Sequence, residues 1–247
     1  MNDLDQNRRD FLIASAAAAG SLLLSSPVNA DAIVKTANTS VGENWMNPEI
    51  KPKPLPFDAG KLKGLSANLI ESHWANNYSG SVKTLNAVND KLSQALANTD
   101  TPAFLYNDLK REHLIRTGSV ILHELYFDNL GGNGQADGEL RSAIAKQFGT
   151  FDRWETEFRK IAQGLAGGAG WVVLAYNTHF NKLENYWMGD HAHYPVGTIP
   201  LLVMDMYEHS YHMDFGAAAS KYIDAFFLNI NWDKVAQRLQ RPMANSV

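Results

Sequence analysis

The stretch Ile199-Pro200-Leu201-Leu202-Val203-Met204-Asp205-Met206-Tyr207-Glu208-His209-Ser210-Tyr211 decides how this chain is read. From Ile199 to Met204 it is apolar almost without interruption, the pattern of a strand buried on both faces. The run closes on Asp205, and a lone carboxylate at the end of a buried strand is desolvated at a cost. The placement becomes reasonable if the carboxylate binds something positive. His209 follows four residues later, a spacing that lets both side chains reach one point across a helical turn, or across a strand end and the turn after it. A local ion pair accounts for this spacing equally well, so the two residues alone leave both readings open.

The remainder of the 247 residues narrows the chemistry. Cysteine is absent, which removes disulfides, thiolate zinc sites, iron–sulfur clusters and cysteine nucleophiles. Any metal must be held by histidine, carboxylate or water, and eight histidines are present. His73 and His123 each fall inside a predicted helix. Three neutral imidazoles with one carboxylate suit a redox-active first-row ion such as iron or manganese, with a position left for water; zinc fits on ligand type alone. A zinc hydrolase of the His-Glu-x-x-His kind is not supported, because His123-Glu124 lacks the second histidine. At 45% hydrophobic and 11% aromatic the chain can bury a sizeable core. The net charge of -4, with no basic stripe, argues against nucleic acid as a partner. No apolar run reaches the roughly 20 residues of a membrane-spanning helix, so no mature span is expected.

The ends read differently from the middle. Asn7-Arg8-Arg9-Asp10-Phe11-Leu12 is a twin-arginine pattern, and Phe11 to Leu24 is apolar or small throughout. Ser25-Ser26-Pro27 and the small-residue sites ending at Ala30 and Ala32 complete the order of an export signal. Residues 1–30 are therefore expected to be a Tat signal peptide, and the chain to be periplasmic or otherwise exported through the Tat machinery. Their removal takes away Arg8, Arg9, Asp3, Asp5 and Asp10, leaving 20 basic and 23 acidic residues and a net charge of -3. Residues 31–54, with Pro48, Pro52 and Pro54 among polar residues, read as an extended lead-in.

In the domain itself the hydrophobic period changes once. Helical spacing runs over 65–97 as one or two helices, with Ser66 as N-cap, and over 102–127 with an interruption near Gly118. Gly131-Gly132-Asn133-Gly134 is a loop. Residues 138–148 and 151–166 read as helices, the second beginning at an Asp152-x-x-Glu155 capping box. Then come β-type runs at 170–176 and 182–188 around Asn177-Thr178-His179, the run 199–204, and a helical tail over 216–239. Helices first, then a small three-stranded sheet flanked by helices, is an α+β order.

Met204-Asp205-Met206-Tyr207-Glu208-His209-Ser210-Tyr211 resembles the signature of the iron/manganese superoxide dismutase family, Asp-x-Trp-Glu-His-x-Tyr. Leu55-Pro56-Phe57-Asp58 is similar to the family's opening motif, and Phe148-Gly149, Phe158, Gly170-Trp171 and Asn231-Trp232-Asp233 fall in family order over about 190 residues. The resemblance implies an N-terminal helical-hairpin half, 55–135, and a C-terminal α/β half, 136–247, carrying a small three-stranded antiparallel sheet. It further implies one iron or manganese per subunit held by His73, His123, Asp205 and His209, a homodimer or homotetramer, and disproportionation of superoxide. Glu208 would cross the dimer interface, Trp171 would wall the site, and His191 would hydrogen-bond metal-bound water, with His193 its less favoured neighbour. Beyond the metal and its bound solvent the resemblance assigns no catalytic residue.

The chain also departs from the family. Where the family has histidine and tyrosine four and eight residues after the first ligand, this chain has Asn77 and Ser81, and Tyr207 replaces the motif's tryptophan. The missing tyrosine normally guards the substrate funnel and helps deliver protons; Tyr78 or Tyr211 could stand in. These departures raise the alternative of a metal-binding protein of the same fold with little turnover.

Overall fold

A computed structural model of the chain describes residues 48–244. The signal peptide expected over 1–30, and the lead-in before Pro48, lie outside the described residues. Among the described residues no helix is long and apolar enough to cross a membrane.

Two long helical rods come first. One joins α1 (Ala67–Ser72), a π turn (His73–Tyr78) and α2 (Ser79–Ala97) without a break; the other is α3 (Ala103–Asp128). Ser66 starts the first rod as read from sequence: its hydroxyl accepts from the Leu69 amide at 3.1 Å. What the sequence hid is the π turn that opens at His73. Such wide turns are uncommon and cluster at functional sites.

The expected interruption at Gly118 is absent, and α3 runs straight through it. The glycine serves close approach instead. A Cβ there would lie 1.9 Å from the His191 carbonyl oxygen, so only a bare backbone lets the 190s loop pass.

α4 (Gly138–Phe148) and α5 (Phe151–Gly164) follow. The capping box predicted at Asp152 is displaced: Thr150, extended at φ -145 and ψ 158, caps α5 by accepting from the Arg153 amide. Gly149, at φ 88, ends α4 immediately before it, so the cap position is set by where the chain turns. Asp152 already sits in the first helical turn.

The sheet is antiparallel with order β2–β1–β3, built from β1 (Trp171–Asn177), β2 (Lys182–Met188) and β3 (Thr198–Asp205). Trp171 to Ala175 is buried throughout, as a central strand covered on both faces requires. The register sets Trp171 opposite Asp205, which brings the indole to the carboxylate end of β3.

After a 3-10 turn (Glu208–Ser210) and the short α6 (His212–Phe215), the tail forms two helices where one was expected. α7 (Ala219–Leu228) and α8 (Trp232–Ala244) are separated at Asn229–Asn231. Buried Asn229 turns both side-chain groups onto the Lys63 backbone, at 2.8 Å each. The amides of Gly132 and Gly134 donate to the Asn229 and Ile230 carbonyls. Long-range polar contacts of this kind leave no mark on helical periodicity.

The Gly118 contact is testable. Alanine favours a helix over glycine, but the clash with His191 outweighs that gain. Gly118→Ala is expected to lose about 1–3 kcal/mol in equilibrium denaturation, in line with overpacked sites; a more stable variant would show that the loop yields freely.

Candidate metal centre

Four elements meet at one point. His73 opens the π turn, His123 lies in the last two turns of α3, Asp205 ends β3, and His209 sits in the 3-10 turn that follows. One ligand atom from each lies within 4.8 Å of all the others. Asp205 Oδ2 is the hub, at 3.2 Å from His73 Nε2, 3.2 Å from His209 Nε2 and 3.6 Å from His123 Nε2. His73, His123 and Asp205 are buried, whereas the His209 side chain is 25% exposed, so any opening is on its side.

The donor set fits a cation. Both ring nitrogens of His73 and Nε2 of His123 are buried without a hydrogen-bond partner, an arrangement proteins rarely tolerate without an unseen group to satisfy it. Burial lowers the His73 pKa against the pull of Asp205. Burial and neighbouring His73 together hold His123 down at about 3. Burial alone would raise Asp205, but the surrounding histidines, His209 foremost, hold it below the ordinary carboxylate range. The pocket thus contains an ionised carboxylate beside neutral imidazoles at His73 and His123, the protonation state that divalent and trivalent ions require of their ligands.

The ligands are held from behind. The His123 Nδ1 donates to the Ser119 carbonyl oxygen at 2.7 Å, which leaves Nε2 for a metal. Asp205 Oδ1 accepts from the Tyr207 amide at 2.8 Å, and its backbone carbonyl accepts from the Tyr222 hydroxyl at 2.7 Å and Ser210 Oγ at 3.0 Å. The Ser66 cap is gripped by Asp214, whose two oxygens accept from its amide and hydroxyl at 2.7 Å. That contact ties the helix leading to His73 to the segment following His209.

Trp171, His191 and Tyr207 form an aromatic wall. The Trp171 indole N–H donates to His191 Nδ1 at 3.0 Å. Because indole only donates, Nδ1 must accept, and a neutral His191 carries its proton on Nε2. Burial lowers the His191 pKa, which favours that neutral form. The His191 ring stacks on Tyr207 at 4.7 Å and lies 6.0 Å from the His123 ring. Burial, with the Asp205 charge behind it, pushes the Tyr207 hydroxyl up to about 12. His193 points elsewhere: it is more than half exposed, 3.3 Å from Asp190, and stacks on exposed Trp187.

The remaining sequence-selected residues are spread around this wall. Asn77 is half-buried on the π turn, and Glu208 is exposed; its backbone carbonyl accepts from the Tyr211 amide at 3.1 Å, and its carboxylate has no hydrogen bond or ion pair among the described residues. Ser81 is buried 2.8 Å from Ser119 Oγ, which is itself 3.3 Å from His123 Nδ1. The Tyr78 hydroxyl accepts from the Lys53 amide and donates to Glu124 Oε1. The Tyr211 hydroxyl accepts from the Gly167 amide at 3.2 Å. The sequence reading passes over Ser119 and Asp214 and takes Gly118 only as an interruption of the helix. A glycine inside a long helical pattern is a signal of close approach and pointed to Gly118; nothing local marked the other two.

Fold and site together define an α+β protein with a buried three-histidine, one-aspartate centre at the junction of a helical rod pair and a sheet. Residues 136–238 match the model of the iron/manganese superoxide dismutase C-terminal domain. The chain is 51% identical to the iron superoxide dismutase of Cupriavidus metallidurans over 186 residues, 75% of this chain and 94% of that one. It is 35% identical to the manganese superoxide dismutase of Mycolicibacterium smegmatis, over 74% of this chain and 89% of the relative. The iron superoxide dismutase of Aquifex pyrophilus is likewise 35% identical, over 82% and 95%. This chain belongs to the iron/manganese superoxide dismutase family.

Acid should dismantle the centre in a set order. The unfolded chain takes up protons at its histidines near pH 6.5, whereas folded His123 refuses one down to about pH 3. Stability of the metal-free protein should therefore fall as pH drops through that window, because the unfolded state binds more protons. Depressed Asp205 adds a further loss, with the same sign, once the unfolded chain's carboxylates begin to protonate. Denaturation midpoints that stay flat from pH 7 to pH 4 would contradict the buried neutral histidines.

Proposed function

We propose that this chain is an exported superoxide dismutase that converts two superoxide ions and two protons to oxygen and hydrogen peroxide at one iron or manganese ion per subunit. The observation that carries the reading is the convergence of His73, His123 and His209 on one oxygen of Asp205. The family's relatives are named for either iron or manganese, and the ligand set suits both.

A redox-active ion bound there supplies the chemistry of accepting one electron from a first superoxide and giving it to a second. The protein's part is to hold charge and protons in place. Asp205 contributes fixed negative charge that favours the oxidised ion, while the neutral imidazoles moderate it. Trp171 holds His191 in one tautomer, so Nε2–H is a ready donor on the ring edge that does not face the indole. Tyr207, protonated at neutral pH, stacks on both His191 and His209 at 4.7 and 5.3 Å, with its plane 11° and 19° from theirs. The exposed edge of His209 marks the side on which a small anion reaches the centre.

The finer parts of the reading rest on sequence. The Arg8-Arg9 pattern supports Tat export to the periplasm with loss of residues 1–30, leaving the lead-in 31–54 and halves 55–135 and 136–247. Family membership supports a homodimer or homotetramer in which Glu208 reaches the partner's copy of the site.

The test is superoxide consumption per bound metal atom, on residues 33–247 loaded separately with iron and with manganese. Fast turnover with at least one metal is the expected result, with His191→Ala retaining metal but turning over more slowly. Stoichiometric metal with negligible turnover would instead favour the non-catalytic alternative and make Asn77 and Ser81 the first positions to revert. Export is tested by Arg8→Lys with Arg9→Lys, which should strand the precursor in the cytoplasm; normal export of that variant would refute the Tat route.

A further inference from the structure

Pro48-Glu49-Ile50-Lys51-Pro52-Lys53-Pro54-Leu55-Pro56 lies extended across the outside of the helical rods. Prolines at four of nine positions hold φ near the extended range and remove amides that would otherwise need partners, which lowers the entropy lost on ordering the segment. Two of its remaining amides are used. Ile50 is pinched by Asn86 of α2, whose side chain accepts from its amide at 3.0 Å and donates to its carbonyl at 2.8 Å.

Lys53 is bound three ways. Its carbonyl accepts from the Trp74 indole at 2.8 Å, its amide donates to the Tyr78 hydroxyl at 2.9 Å, and its ammonium pairs with Glu124. The Tyr78 hydroxyl then donates to Glu124 at 3.0 Å, closing the ring of contacts. Each of these partners adjoins a metal-centre histidine. Trp74 is next to His73, Tyr78 ends the same π turn, and Glu124 is next to His123 on α3. Behind them lies a cavity of about 320 Å³ lined by Lys53, Pro54, Pro56, Trp74, Tyr78 and Glu124. The rings of Tyr78 and Phe127 stand between the strap contacts and the histidines, with Phe127 5.1 Å from the His73 ring and Tyr78 6.3 Å from the His123 ring.

We propose that residues 48–56 are a retaining strap for the metal centre, with Lys53, Trp74 and Tyr78 as positioning residues that hold the π turn against α3. The strap keeps His73 and His123 at the spacing the ion needs. Tyr78 acts here through the ligands, on how long the ion stays, and not on superoxide. The inference rests on reading the cluster as a metal centre.

The experiment loads the protein with manganese and follows its passage to excess EDTA, alongside global stability from chemical denaturation. Asn86→Ala loosens the strap far along α2 from the histidines, Tyr78→Phe removes the linking hydroxyl, and Ile144→Ala weakens the core elsewhere as a matched control. Release roughly tenfold faster in the first two variants, the scale of effects from groups that orient metal ligands, with no acceleration in the control and unchanged turnover per manganese in Asn86→Ala, is the expected result. Wild-type release in both strap variants, or equal acceleration in the control at equal stability loss, would overturn the strap. Failure of the wild type to hold one ion would instead count against the metal centre itself.

Discussion

A single carboxylate oxygen organises this molecule. Asp205 Oδ2 is buried with three imidazole nitrogens 3.2 to 3.6 Å away. Removing a carboxylate from water is among the costlier acts in folding, and it is sustained here only if charge and hydrogen bonds are returned to it. Each ligand arrives on a different kind of backbone: a π turn, an α-helix, a strand end and a 3-10 turn. The helical rods and the sheet need not meet at this point for the sake of apolar burial alone. The centre is where their geometry is reconciled.

That reconciliation explains features that look unrelated. Gly118 is bare so that the His191 backbone can cross α3. Trp171 is paired with Asp205 across β1 and β3, and its indole fixes His191. Asp214 binds the cap of the helix that leads to His73, joining the chain after one ligand to the chain before another. The strap does the same from outside. In each case a residue away from the ligands limits how far one ligand-bearing element can drift from the next, which is how proteins preorganise a metal site.

Much of this was legible in the residues. The apolar run ending in Asp205 announced a buried strand with a charged terminus, and the absence of cysteine left histidine and carboxylate as the available donors. Helices first and strands second gave the α+β order, and the family resemblance drew His73 and His123 toward Asp205. What escaped was tertiary in origin. A π turn and a straight helix through Gly118 have nearly the same apolar pattern as an ordinary helix and a broken one. Thr150 displaced Asp152 as a cap because Gly149 had already turned the chain, and the break at Asn229 exists to bind Lys63, far away in sequence. The partners of the Tyr78 hydroxyl, Lys53 and Glu124, leave no local mark either.

The central claim is that these four side chains are gathered to hold one metal ion. X-ray absorption at the metal edge of the protein loaded with iron or manganese tests it most directly. The account predicts one ion per chain, scattering from three imidazoles and a carboxylate oxygen, and loss of that pattern in Asp205→Ala. An ion surrounded mainly by carboxylates or water, or an unchanged spectrum in the variant, would contradict it.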